Sequence, residues 1–359
     1  MIYSYPDYYK KFRCIADKCP DTCCSEWQIV IDDDSLEEYR NYTGEYRETL
    51  HQNIQWEEGV FGHNQKGKCA FLRDDGLCDM YKHMGKDSLC MTCREYPRHT
   101  EEFENIREIS LSLSCPEVAR ILLQKTEPVT FVYEEDDEEE AFEDFDYFLF
   151  SNLEDIREEI LKLIQNREES LEARIGKVLQ IGASAQRHYE DGDLIVWDEC
   201  EDVDKVCVED EYELFQKHMR FLSEDLELLY PDWDDVLVES EVLLFDQGET
   251  DFMENKKQFL AWWANSGLPS LEIVLEQIVV YFISIYLLGA VYDGNILGKV
   301  DSAVGHVTVI FLLLLARWIK CDEKLEMADL IELVYRYSRE IEHSDENLDR
   351  VEELDWFER

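Results

Sequence analysis

A mainly α-helical protein, with an irregular cysteine-rich module at its start and an acidic multi-helix domain behind it, is what three observations predict. Nine of the twelve cysteines fall between Cys14 and Cys115. Residues 1–126 carry 16 Lys and Arg against 23 Asp and Glu, whereas the remainder carries 19 against 60. Through that remainder, apolar residues recur at three- and four-residue intervals, the period of a helix face. The expected organisation is therefore a Cys-rich module over 1–126, an acidic linker over 127–143 and a helical domain over 144–359.

The bulk numbers narrow the class. A chain of 359 residues, 45% hydrophobic and 12% aromatic, buries a real core despite a net charge of −48. That charge repels nucleic acid and anionic lipid and attracts basic partners over a Debye length of roughly 8–10 Å. The opening Met1–Lys11 shows no apolar stretch of the kind that directs export, so a cytoplasmic protein is expected. The stretches Ile278–Tyr292 and Val307–Trp318 are apolar, with Glu272, Glu276 and His306 interrupting their approaches. Both fall short of the ~18–20 apolar residues of a membrane span and read as buried core helices, with no membrane insertion. Cysteines in such a chain stay reduced, which favours metal binding over disulfides.

In the first module, Trp27–Ile31 alternates like a short strand, and Ser35 is placed to cap a helix starting at Leu36. Glycines 59, 62, 67, 76 and 85 mark turns between the cysteine groups. So irregular a module has little room for a core of its own, and a metal would supply much of its stability. The seven consecutive acids Glu134–Glu140 repel one another and suit a solvated linker or the acidic start of a helix. Helices are expected over Phe145–Ile164, Leu171–His188, Tyr212–Leu229, Phe252–Trp263, Leu271–Tyr292, Ala303–Trp318 and Leu325–Glu342. Pro231 and Pro269 fall between helices, and Gly294 and Gly298 in the loop joining the two most apolar ones.

The cysteine spacing carries the chemistry. Cys14-x4-Cys19-x3-Cys23-Cys24 is followed by Cys69-x8-Cys78, Cys90-x2-Cys93 and Cys115. Thiolates are soft ligands, and a Cys-x-x-Cys turn lets two sulfurs converge on one ion. An iron–sulfur cluster, most simply [4Fe–4S], a structural zinc site, and unligated thiols are the three readings. One tidy Cys-x-x-Cys pair beside an irregular group favours iron–sulfur, since structural zinc usually shows two such pairs. The candidate ligands are Cys19, Cys23, Cys24, Cys69, Cys78, Cys90, Cys93 and Cys115, in one centre or two. Adjacent Cys23 and Cys24 are expected to point apart and so to serve different centres or different shells. Lys18, Arg94 and Arg98 flank these residues; they offset thiolate charge or bind a cofactor carboxylate.

The block Phe12–Asp32, Cys69-Ala70-Phe71-Leu72 with Gly76-Leu77-Cys78, and Leu89–Arg98 with Ser114–Arg120 together resemble the flagellin lysine-N-methylase family. So does Tyr337–Ser344 near the end of the chain. The resemblance implies S-adenosylmethionine-dependent methylation of flagellin lysines before export. No Gly-rich strand-to-helix turn of a doubly wound methyltransferase is visible, which leaves Gly182 in Leu179–Ala185 as a weak candidate beside Arg94 and Arg98 for holding the cofactor. Arg339 and His343 stand four apart on one helix face, with Glu342 beside them, and make a candidate set of base and carboxylate clamp. A non-catalytic zinc or iron–sulfur protein that binds a basic partner is the alternative.

Overall fold

Strand β1 (Ile2–Pro6) is the third strand of a sheet whose other members lie a hundred residues further on. A computed structural model describes the chain except residues 26, 65, 66, 139, 141, 143, 144, 193–210, 231, 358 and 359. Cys200, Cys207 and Pro231 therefore lie outside the described residues. After β1 come α1 (Asp33–Asn41), α2 (Arg47–Gln52), the short pair β2 (Ile54–Gln55) and β3 (Val60–Phe61), α3 (Asp79–Met84) and α4 (Met91–Glu95). Then follow β4 (Arg98–Phe103), β5 (Ile106–Leu111), α5 (Pro116–Leu123) and β6 (Phe131–Glu135).

The sheet runs β4-β5-β1-β6. β1 is parallel to β5, with Ile2 opposite Ile106, and antiparallel to β6, with Pro6 opposite Phe131. The acidic segment expected to be a solvated linker thus begins as an edge strand. Its charges are tolerated because cations meet them: Lys10 reaches Glu134 at 2.8 Å, and Arg107 pairs with Glu140. At the start of α1 the cap is Asp32, not Ser35; its Oδ1 accepts the Ser35 N–H at 3.0 Å and its Oδ2 the Met91 N–H at 2.7 Å. Trp27–Ile31 keeps the expected alternation, with Ile29 and Ile31 buried and Val30 57% exposed, but its pairing is a single bridge from Val30 to Val60.

The remainder is helical, as expected: α6 (Tyr147–Ile164), α7 (Leu171–Glu190), α8 (Glu211–Glu224), α9 (Trp233–Phe245), α10 (Glu249–Trp263), α11 (Leu271–Tyr286), α12 (Ala290–Asp293), α13 (Ile296–Lys320), α14 (Met327–Glu342) and α15 (Asp345–Glu353). α8 stops five residues before the expected Leu229, because side chains of the last helices take over its backbone donors. Glu340 accepts the N–H groups of Leu229 and Tyr230, and Asn347 that of Glu227. Gly294 caps α12 in the left-handed region (φ +72°), whereas Gly298 lies inside α13.

The continuous helical path Leu271–Asp293 and α13 are both long and apolar enough to cross a membrane, contrary to the expectation that they fall short. Yet 67% and 78% of their apolar windows are buried inside the fold, and they form its centre. A buried ion cluster ties α11 to α7 and the turn before it: Glu276 of α11, with no exposed surface, accepts from Arg167 and Arg174, each at 2.7 Å.

Two hydrophobic cores result. The large one joins the helices to Tyr8, Phe12, Phe103, Leu111 and Cys115 of the early chain. The small one is built from Ile29, Ile31, Tyr39, Leu50, Ile54, Phe61, Phe71 and Met80, together with Cys69 and Cys90.

Candidate metal centre

Helix starts and turns position the thiols. Cys78, Cys90 and Cys115 are the N-cap residues of α3, α4 and α5. There, unpaired backbone N–H groups favour a thiolate. The Tyr81 N–H points at Cys78 Sγ at 3.5 Å, and the Ala16 N–H at Cys14 Sγ at 3.4 Å. Cys69 donates its backbone N–H to the Cys24 carbonyl at 2.8 Å, which binds the 69–78 loop to the first cysteine block. Every cysteine of the described residues is free of a disulfide.

The thiol electrostatics follow from burial and pairing. Burial pushes Cys69 up to about 12 and Cys115 up to about 11, and raises Cys19 and Cys78. Within the pair Cys23–Cys24 a thiol hydrogen bond lowers Cys24 to about 7 and raises Cys23. Cys90 and Cys93 divide in the same manner, with Cys90 lowered and Cys93 raised. Among the described residues no three His, Cys, Asp or Glu side chains could hold an ion as they stand. The donor set nevertheless fits zinc or iron–sulfur ligation, being soft, mostly withdrawn from water and supplied with backbone N–H groups aimed at sulfur.

The basic neighbours spread out. Arg94 is exposed beside Glu95 at 3.4 Å. Arg98 lies over the rings of Tyr9 and Phe12, at 5.9 and 5.4 Å. Gly182 sits in α7, where an added Cβ would come within 2.9 Å of Val300, so its small size serves the close crossing with α13.

At the end of α14 the three polar residues face a junction with the Cys-rich module. Arg339, 1% exposed, donates through Nη1 to Asp21 at 2.5 Å and through Nε to the Ser114 carbonyl at 2.9 Å. Glu342 accepts from Tyr281 at 2.6 Å, Ser112 at 3.1 Å and Ser338. Burial raises its pKa. His343 packs on the rings of Trp27, at 4.6 Å, and Tyr96, at 6.1 Å; burial and Arg339 lower it to about 3. Arg339 Nη2 and His343 Nδ1 are buried without hydrogen-bond partners. The helix therefore brings these residues to one junction but aims them differently, Glu342 inward at tyrosine and serine hydroxyls, the other two at the cysteine block. Sequence reasoning missed Asp21, Trp27 and Tyr96 as members of this junction; Asp21, between Cys19 and Cys23, was the one local signal.

A family model described as the FliB lysine N-methylase C-terminal domain matches residues 157–358. This chain belongs to the FliB lysine N-methylase family. A second model, a domain described provisionally as zinc- or iron-chelating, matches residues 13–111. The chain is also similar to the Lysine-N-methylase of Salmonella typhimurium strain LT2, 31% identical over 127 residues that cover 33% of this chain and 31% of that protein. A Lysine-N-methylase of Salmonella choleraesuis matches to the same extent. The Flagellar biosynthetic protein FliU of Salmonella muenchen is 31% identical over 127 residues, covering 75% of its length. The chain thus spans about a third of the length of the curated lysine-N-methylases it matches. No solved structure matches it. The FliB-family match includes α14 and the chelating-domain match includes Asp21 and Trp27, so the junction joins the two.

Proposed function

We propose that this chain transfers methyl groups from S-adenosylmethionine to the ε-amines of lysines on flagellin, in the cytoplasm before export. One observation carries the reading. Arg339 and His343 of the FliB-matching helix meet the chelating domain with two buried, unpartnered nitrogens between them. A buried guanidinium N–H without a partner suits a ligand carboxylate, such as the methionyl end of the cofactor. Bound there, S-adenosylmethionine would supply an electrophilic methyl group.

The chain's own residues would do the rest. Lysine attacks only when neutral, and an ordinary pKa of ~10.4 means that a proton must be removed. Burial raises the pKa of Glu342 and suits it to accept the proton, although its carboxylate turns inward to Tyr281, Ser112 and Ser338. His343, lowered to about 3, stays neutral and serves as a stacking wall with Trp27. The cysteines would hold a [4Fe–4S] cluster, with zinc as the alternative, and metal–thiolate bonds would then stabilise the small core that Cys69 and Cys90 help to build. A net charge of −48 draws a lysine-bearing partner.

Anaerobically reconstituted protein incubated with methyl-labelled S-adenosylmethionine and flagellin tests this. Labelled lysine with S-adenosylhomocysteine is expected, and Arg339→Met raises the KM for the cofactor at least tenfold. The same charge also favours a second reading, a non-catalytic zinc or iron–sulfur protein that holds a basic partner. Flagellin binding without any label transfer would establish that reading instead.

A further inference from the structure

We propose that a cleft between the sheet and α11 binds a primary alkylammonium, the side chain of a lysine presented by a substrate protein, with its charged end towards Glu342. The cleft encloses about 480 Å³, its open mouth included, between β1, β4 and β5 on one side and α11 on the other. Its lining is amphipathic in the way a lysine side chain is. Leu122, Phe131, Val280 and Ile285 give it apolar walls that suit the methylene stem. Ser4, Tyr8, Glu101 and Tyr281 supply polar atoms.

Those polar atoms are open to a cation. Ser4 and Tyr8 are 3% and 4% exposed, yet among the described residues neither hydroxyl has a hydrogen-bond partner. A withdrawn hydroxyl needs one, and an ammonium brings donors without any acceptor. Glu101 and Glu108 stand directly opposite one another in the β4–β5 register, and both line the cleft. Arg157 takes both oxygens of Glu108, at 2.5 and 2.6 Å. Glu101 meets the His99 imidazole through one oxygen, at 2.5 Å, and that ring is charged only when protonated. A carboxylate and two hydroxyls in one apolar cleft favour an ammonium over a neutral chain of the same length and repel an anion.

The cleft adjoins the proton acceptor. Tyr281 lines it, donates to Glu342 at 2.6 Å and accepts the Leu113 N–H at 3.0 Å. Ser112, which also donates to Glu342, bonds Ser114, whose carbonyl Arg339 holds. Glu342 thus stands between the cleft and the junction. One proton passes from the ammonium to the Tyr281 oxygen as the Tyr281 proton passes to Glu342, which leaves a neutral amine and a neutral carboxyl. This transfer rests on the methylation reading above, whereas the amine site rests on the cleft itself.

n-Butylamine, the lysine stem and charge without a backbone, is the probe, added to full-length protein with isotope-labelled tyrosine rings read by NMR. Saturable shifts of the Tyr8 and Tyr281 signals are expected, with n-butanol bound about tenfold more weakly for want of the charge. Equal binding of the two, or no shift at all, overturns the site. Glu101→Gln is expected to weaken butylamine about tenfold, and an unchanged affinity overturns the site as well. If Glu101→Gln disturbs the sheet, Tyr8→Phe, which removes one oxygen, reads the loss through the Tyr281 signal instead. In the methyl-transfer assay, Tyr8→Phe is expected to raise the KM for flagellin about fivefold and to leave that for S-adenosylmethionine unchanged. Butylamine binding without methyl transfer keeps the cleft and ends the methylation reading; transfer with an unchanged flagellin KM in both variants does the reverse.

Discussion

Arg339 reaches across 318 positions of sequence to the carboxylate of Asp21, and the resulting 2.5 Å ion pair joins the last long helix to the first cysteine block. The guanidinium is buried while Asp21 keeps 28% of its side-chain surface, so most of the desolvation cost falls on the arginine. Removing one partner strands the other. Asp21→Asn is expected to destabilise the protein by about 1–3 kcal/mol. Arg339→Lys should cost as much, because an ammonium cannot serve both Asp21 and the Ser114 carbonyl from one planar fork. The double variant should cost less than the sum of the two, read as midpoint shifts in urea at constant slope.

Glu276 gives a second ion-pair prediction, away from the junction. Its carboxylate has no exposed surface and is shared by Arg167 and Arg174. Glu276→Gln leaves Arg174, itself 1% exposed, with only the longer 3.8 Å pair to Glu272. The expected loss is about 3–5 kcal/mol in urea unfolding. Unchanged stability would mean that the three groups are solvated in solution.

The helical half was legible in the sequence because packing and local pattern agree there: apolar residues at helical spacing in α6, α7, α10, α11, α13 and α14 lie against one another in the large core. α9 was missed although Trp233, Leu237, Ser240 and Leu244 recur on its buried face, and α15 was missed although Ser344 caps it by accepting the Asn347 N–H. The sheet was illegible for a different reason. β1 pairs with residues a hundred positions away, and β6 is acidic, so neither its register nor its partner can be read locally. The cysteines as a gathered set were legible from spacing. Which core each of them joins was not, since Cys69 and Cys90 enter the small core and Cys115 the large one only through the fold.

Gly305 is a place where a side chain would not fit. An added Cβ would lie 2.3 Å from the ring of Trp356, which is fully buried. Gly305→Ala must displace that indole or bend α13, and overpacking of this kind costs about 1–3 kcal/mol. A thermal melt should show the loss. Gly85→Ala is a poor comparison because of its positive φ; Ala303→Gly in the same helix sets the scale for propensity together with the loss of one buried methyl.

Acid should weaken the large core through His306. Its ring stacks on Phe282 at 4.0 Å, its Nδ1 meets the Tyr337 hydroxyl at 2.7 Å, and burial lowers it to about 3 from an ordinary value of 6.5. Because the folded value lies below the unfolded one, the unfolded chain binds the proton first. The contribution is complete above pH 6.5 and is lost as pH falls towards 3, amounting to about 2–3 kcal/mol by pH 4.5. His306→Asn should therefore lose less stability than the wild type between pH 7 and pH 4.5. Parallel curves for the two proteins would show that His306 does not titrate on unfolding.

Metal removal should act on one core and spare the other. The small core buries eight large apolar side chains against many more in the helical core, and its other two buried members are Cys69 and Cys90 themselves. Burying each of its aliphatic side chains contributes about 1.5–3 kcal/mol, against an ordering cost of about 1–2 kcal/mol for every backbone residue of the long loops between them. That balance leaves the small core dependent on metal–thiolate bonds. The large core, with α11 and α13 buried at its centre, has no such dependence. Chelation under reducing, air-free conditions is therefore expected to raise amide hydrogen exchange in α1, β2, β3 and α3 while α11 and α13 stay protected. Exchange that rises equally in both regions would mean the two cores unfold as one unit, and exchange that rises in neither would mean the small core stands without metal.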